Sequence, residues 1–212
     1  MHVVVVGGHT RDIGKTSVMA GLIRTVKPPG IAADLGWTAV KVTQHGQDIC
    51  SHNGEPCGCE LQEHPFALTE ERDAAGRGDT CRFLAAGARR SLWLRVRQGQ
   101  LALAFPILHR ALTGEDWVMI ESNSILEFLR PVLYLMVIDG SRRDFKPSAQ
   151  LFFAQADALV TIGSGLGETA WPEVIFRGTH GKPEFPVSAR DYSSPELSEF
   201  VRQRLRGTNP AS

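Results

Sequence analysis

VVVVGGHTRDIGKTS, residues 3–17, sets four consecutive valines directly before a Gly-rich turn and a Gly-Lys-Thr. The run His2–Val6 has the length and β-branched character of a parallel strand buried on both faces. After Gly14-Lys15, Val18, Leu22 and Ile23 recur at helical spacing to about Val26, and Lys27-Pro28-Pro29-Gly30 stops the helix. Strand, Gly-containing turn, Gly-Lys-Thr and helix in that order are the context of a phosphate-binding loop. The glycines let backbone N–H groups approach phosphate oxygens. The helix start adds unpaired N–H groups and the positive end of its dipole. Lys15 is placed to reach the β- and γ-phosphates and the Thr16 hydroxyl to ligate Mg²⁺. One detail departs from the common spacing of Gly, four residues, Gly-Lys-Ser/Thr: the position that should hold the first glycine is His9, and Gly8 stands one residue early.

Working outward, the 212-residue chain is long enough for one α/β domain with a substantial core and short for two. Its 42% hydrophobic and 22% charged content fits a folded soluble chain, and the formal net charge of zero gives no basic excess for a nucleic-acid partner. Neither a signal peptide nor an apolar run of membrane-spanning length is read, so the expectation is a cytoplasmic protein with no nucleic acid and no membrane among its partners.

Further strands are expected at Trp37–Thr43, Leu92–Arg97, Trp117–Glu121, Leu133–Ile138, Ala158–Ile162 and Pro183–Val187. Helices are expected from Asp79 to near Gly87, at Leu101–Leu112, near Pro147–Ala156 and at Pro195–Arg206, the last capped by Ser194. Alternation of strands and helices predicts an α/β fold with a mostly parallel sheet covered on both faces. Between about residues 45 and 78 periodicity fails, and this stretch reads as a Cys/His-rich loop or insertion in a single domain spanning 1–212.

Four stretches carry a family resemblance. Gly8-His9-Thr10-Arg11-Asp12-Ile13-Gly14-Lys15-Thr16 resembles the loop of dethiobiotin synthetases and cobyrinic-acid amidating enzymes, which place five residues between the first glycine and Gly-Lys-Thr/Ser. Val40-Lys41-Val42-Thr43-Gln44-His45 resembles the second strand of the molybdopterin-guanine dinucleotide biosynthesis adaptor proteins of the B type, and the synthetases also end this strand in a lysine. Asp79-Thr-Cys-Arg82 with Ala86-Gly87-Ala88 is similar to that adaptor family's Asp-Ser-x-Arg and Ala-Gly-Ala segment. Val118-Met-Ile-Glu121 is similar to a strand that ends Val-Glu-Gly in both families, with Ser122-Asn123 replacing the glycine. The resemblance implies a three-layer P-loop NTPase fold. It implies ATP or GTP as the ligand, bound on Gly8–Ser17 with Mg²⁺, and slow nucleoside-triphosphate hydrolysis in molybdopterin-type cofactor biosynthesis. Two alternatives stand beside it: an ATP-dependent ligase or kinase acting on a small molecule, and a non-enzymatic nucleotide-binding adaptor. The partners implied are a cofactor-biosynthesis protein and a second copy of the chain in a homodimer. No Asn-Lys-x-Asp occurs to read guanine, and Asp157–Gly163 occupies the comparable place, so the base stays open.

Carboxylates that hold Mg²⁺ belong at the ends of neighbouring parallel strands. Glu121 is the preferred candidate. Asp139 fits equally as a turn cap, Asp48 and Asp79 are further candidates, and Asp79 also fits as a helix cap. Lys41, at a strand end, reads as an anion contact or as a surface lysine of an edge strand. Cys50, Cys57 and Cys59, with His52 and His64, gather soft donors in one loop, and Cys81 adds a fourth thiol. In a cytosolic protein that points to tetrahedral Zn²⁺ or, less readily, an Fe–S cluster, against a reading of free thiols.

Overall fold

The computed structural model describes residues 1–29, 36–46, 65–163 and 179–207. In chain order the elements are β1 (His2–Gly8), α1 (Lys15–Thr25), β2 (Thr38–His45), β3 (Phe66–Glu71), α2 (Asp79–Ala85), β4 (Arg90–Arg97), α3 (Leu101–Ala111) and β5 (Trp117–Glu121). A 3-10 turn (Ser124–Glu127) follows, then β6 (Leu133–Ile138), α4 (Pro147–Phe152), β7 (Ala158–Ile162), β8 (Glu184–Val187) and α5 (Pro195–Arg206). The strands form one eight-stranded sheet in the order β3-β4-β2-β5-β1-β6-β7-β8. Every pairing is parallel except β3 with β4.

The alternation of β1 builds both faces of the core. Val4 and Val6 pack with Met19, Leu22, Phe83, Leu135 and Val201, beneath α1, α2 and α5. Val3 and Val5 pack with Leu94, Leu108, Ile120, Met136 and Phe152, beneath α3 and α4. Each such side chain taken fully out of water stabilises the fold by about 1.5–3 kcal/mol, so the central strands fix the three layers. Ser194 caps α5 as expected, its hydroxyl accepting from the Leu197 N–H at 3.1 Å. Among the described residues no helix is long and apolar enough to cross a membrane.

Three expectations need adjusting. The stretch expected to be a loop to residue 78 contains β3, an antiparallel edge strand whose Phe66 and Leu68 pack on the α3 side of the core. Its other face is polar, with Thr69 and Glu71, so its apolar pattern is only two residues deep. The helix expected near Pro147–Ala156 ends at Phe152 and tightens into a 3-10 turn over Phe153–Gln155. The first strand runs on past Val6 to Gly8, because Gly7 and Gly8 pair with Met136 and Val137 of β6.

Candidate phosphate-binding site

The loop from His9 to Gly14 leaves β1 at the centre of the sheet and is held from three directions. Asn123, just past β5, clamps Gly8: the Gly8 N–H donates to its Oδ1 and its Nδ2 donates to the Gly8 carbonyl, both at 2.9 Å. The segment after β6 holds the next residues. His9 N–H donates to the Val137 carbonyl at 3.2 Å, and the His9 carbonyl accepts from the Lys146 N–H at 2.8 Å. The Thr10 hydroxyl donates to Asp144. His9 is fully buried against Phe145, and burial lowers its imidazole pKa to about 4. At the far end Asp12 and Gly14 take left-handed backbone, with φ of 53° and 89°. A Cβ at Gly14 would lie 2.1 Å from the Tyr192 ring, so glycine is required there both by conformation and by space.

Lys15 bends back over the loop and its ammonium donates to the Thr10 carbonyl at 2.9 Å. Burial lowers its pKa, with Glu121 opposing and Lys41 adding to the effect. Lys146 stands near the same loop, and burial together with the charges of Lys15 and Arg11 lowers its pKa to about 8.

Thr16 in the first turn of α1, Glu121 at the end of β5 and Lys41 meet beside the loop; Lys41 is midway along β2 rather than at a strand end, because the strand runs on beside β4 to His45. Register puts Glu121 of β5 opposite Val6 of β1 on one side and Lys41 of β2 on the other. The Thr16 hydroxyl donates to Glu121 Oε2 at 2.7 Å. Lys41 Nζ stands 3.3 and 3.4 Å from the two Glu121 oxygens and 3.5 Å from Thr16 Oγ1. It also donates to Asp79 at the start of α2. Burial works against the charged form of Lys41, but Glu121 and Asp79 outweigh it and raise its pKa. Arg82, one turn along α2, donates to Ser17 Oγ at 2.7 Å and ties α2 to α1.

The sequence-derived candidates thus divide. Gly8–Ser17, Glu121 and Lys41 come together, and Asp79 joins them. Lys41 is not on an edge, since β2 lies between β4 and β5. Asp139 caps its own loop, accepting from Ser141 N–H at 3.0 Å and Ser141 Oγ at 2.6 Å. Asp48, Cys50, Cys57 and Cys59, with His52 and His64, lie outside the described residues. Cys81 is buried in α2, and its thiol donates to Glu71 Oε2 at 3.1 Å. Burial and the Glu71 contact raise its pKa, which disfavours the thiolate a soft metal takes. Among the described residues no group of three or more His, Cys, Asp and Glu side chains is arranged for a metal ion.

Sequence reasoning missed Asn123, Asp144, Lys146 and Tyr192. Asn123 was visible only as a departure from a glycine, and the other three lie in segments that reach the loop solely through the fold.

No family model matches the chain, and no curated protein matches it. Among solved structures it is similar to HypB from Helicobacter pylori in complex with nickel, at 15% identity and a TM-score of 0.50, over 99% of this chain and 90% of that one. It is also similar to the signal recognition particle receptor FtsY from Elizabethkingia anophelis in complex with GDP, at 15% identity and a TM-score of 0.42, over 97% of this chain and 63% of that one. Identity this low speaks to fold alone. The strand–loop–helix at the centre of a mostly parallel sheet, with the HypB likeness, gives the chain the fold of the P-loop NTPases.

Proposed function

We propose that this chain binds ATP or GTP on Gly8–Ser17 with Mg²⁺ and promotes loss of the γ-phosphoryl group, in the service of molybdopterin-type cofactor assembly. The observation that carries the catalytic part is the meeting of Thr16 at the start of α1, Glu121 at the end of β5 and Lys41 midway along β2. A hydroxyl and a buried carboxylate beside a phosphate loop are hard oxygen donors of the kind Mg²⁺ takes. Thr16 and Glu121 would hold the ion, which when bound neutralises charge on the phosphoryl oxygens. The backbone N–H groups of the loop and of α1 orient the polyphosphate, and Lys15 leaves the Thr10 carbonyl to meet it. Lys41 supplies a second cation on the side of β2. Catalysis of this kind is positioning and charge stabilisation.

The pathway part rests on the resemblance of Lys41–His45 and Asp79–Ala88 to the B-type adaptors. Cys50, Cys57 and Cys59 supply donor chemistry for a Zn²⁺ site that would suit such a role. Elemental analysis of untagged protein against a Cys57→Ser/Cys59→Ser variant tests it, and equal metal content in the two samples removes that part of the reading.

The nucleotide reading is tested by titrating ATP and GTP into wild-type, Lys15→Ala and Glu121→Gln protein with and without Mg²⁺. Lys15→Ala weakens binding at least about tenfold, the loss of one charged contact to a phosphate. Glu121→Gln lowers turnover and Mg²⁺ affinity more than it lowers Mg²⁺-free nucleotide binding. Unchanged affinity in Lys15→Ala refutes the assignment of the loop.

A further inference from the structure

The side of β2 and β4 that faces α2 changes character along its length. Register pairs Lys41 with Trp93, Thr43 with Arg95 and His45 with Arg97, and strand alternation sends these six side chains to one face. The residues between them, Val40, Val42, Leu92, Leu94 and Val96, belong to the apolar cluster on the other face. A parallel sheet covered on both faces is ordinarily apolar on both. Here α2 sits over the earlier part of the face, where the Ser91 hydroxyl donates to the Thr80 carbonyl at 2.9 Å. Beyond it the ladder is cationic.

The side chains are held in place. Arg95 is 6% exposed and lies over the Trp93 ring at 4.4 Å. The Trp93 indole donates to Thr43 Oγ1 at 3.0 Å. His45 Nε2 and Arg97 Nε are buried without a hydrogen-bond partner among the described residues. The His45 imidazole is held below its ordinary pKa by burial and by the charges of Arg95 and Arg11, so Arg11 of the phosphate loop is near enough to act on it. The carboxyl ends of strands in an open α/β sheet are where ligands bind, and the buried His45 Nε2 and Arg97 Nε at such a place call for an acceptor.

We infer that the outer ends of β2 and β4 form an anion-binding subsite in which His45 and Arg97, flanked by Arg95 and Arg11, hold the carboxylate or phosphate of a small-molecule substrate bound beside the nucleotide. The inference rests on the nucleotide occupying Gly8–Ser17, since Arg11 then borders both ligands. It favours a phosphoryl acceptor of anionic character over water alone.

The test uses inorganic phosphate and citrate as probes, each titrated at constant ionic strength into protein saturated with Mg²⁺ and a non-hydrolysable ATP or GTP analogue. Tryptophan fluorescence is the signal, because Arg95 rests on Trp93. The expected result is a saturable change that disappears in Trp93→Phe. Its midpoint rises at least tenfold in Arg97→Gln and in His45→Gln, while both variants bind the analogue within twofold of wild type. A response equalled by chloride, or one that survives in both variants, overturns the subsite. Loss of analogue affinity in both variants also overturns it, because the ladder would then be holding nucleotide phosphate. If Arg97→Gln fails to fold, the milder His45→Gln decides. Failure of the nucleotide reading is distinguishable: wild-type protein then does not bind the analogue, and the same anion titration on Lys15→Ala protein still decides the subsite.

Discussion

Replacing Lys41 with methionine keeps the length of the side chain and removes the one ammonium that two carboxylates share. The Glu121 side chain is 6% exposed and that of Asp79 37%. At the 3.3 Å separation from Glu121, an effective dielectric constant of about 20 gives an attraction of about 5 kcal/mol, part of which offsets desolvation. Breaking a buried pair by removing one partner costs about 3–5 kcal/mol. The Asp79 contact is more open, and solvent screening limits its share to about 1 kcal/mol or less. Glu121 keeps the Thr16 hydroxyl, which softens the loss. The net expectation for Lys41→Met is a fall of roughly 3–4 kcal/mol in unfolding free energy. Because the pKa of Lys41 is raised on folding, its contribution is fully present below the ordinary lysine pKa and is lost only as pH rises through the raised value. Urea unfolding near pH 7.5, followed by circular dichroism, therefore measures all of it.

Two companion measurements separate charge from packing. Lys41→Met/Glu121→Gln should recover most of the loss, since no buried charge is then left without a partner. Mg²⁺ should restore part of the stability of the single variant, by about 1.4 kcal/mol at ten times its dissociation constant. A loss under about 1 kcal/mol, or an equal loss in the single and double variants, refutes the account of a carboxylate pair neutralised by Lys41.

Gly14→Ala forces a left-handed φ of 89° on a side chain whose Cβ meets Tyr192, so stability measured by urea unfolding should fall by roughly 2–3 kcal/mol and nucleotide affinity with it; a wild-type-like variant would show the loop relaxed. His9 titrates near 6.5 unfolded and about 4 folded, so the unfolded chain binds more protons between these values. Stability should decline by roughly 2–4 kcal/mol as pH falls from 6.5 to 4, and His9→Gln should flatten that slope. Lys146, with its pKa lowered to about 8, should take up a proton when polyphosphate binds at higher pH. Affinity should weaken as pH rises through 8 in wild type but not in Lys146→Arg, as calorimetry in buffers of different ionisation enthalpy would report.

Much of this was legible in the chain because local signals agreed with the fold. Four valines before Gly-Lys-Thr specify a central strand, and Ser194-Pro195 marks a helix start that the structure keeps. Glu121 stood out as a candidate because it closes an apolar strand, and Lys41 because it follows an apolar run; the expectation that Lys41 ends its strand fails, since β2 continues to His45. β3 was not legible: an edge strand needs apolar residues on one face only, and two of them amid acidic residues make no period. Asp144 and Lys146 were not legible either, since the loop they hold lies more than 130 residues earlier in the chain. Asn123 stood in the sequence only as a replacement for a motif glycine; its role depends on an amide that pairs with both backbone groups of Gly8.

The distribution of charge along the sheet says more than the net charge, which is zero. At the amino ends of the strands cations are matched: Arg89 and Arg90 pair with Glu115, and Arg204 lies 3.5 Å from Asp157. At the carboxyl ends Lys15 and Arg11 add to the burial that depresses the ionisation of Lys146, and Lys41 adds to the burial that depresses that of Lys15. Such crowding is unfavourable in the folded protein by itself, and evenly spaced surface charge would avoid it. A ligand with several negative charges offsets the repulsion and favours the charged form of each of these cations. A single phosphate meets only part of the set. The grouping of these cations around a loop of backbone N–H donors therefore favours a polyphosphate over a monophosphate, in keeping with the nucleoside triphosphate proposed for Gly8–Ser17.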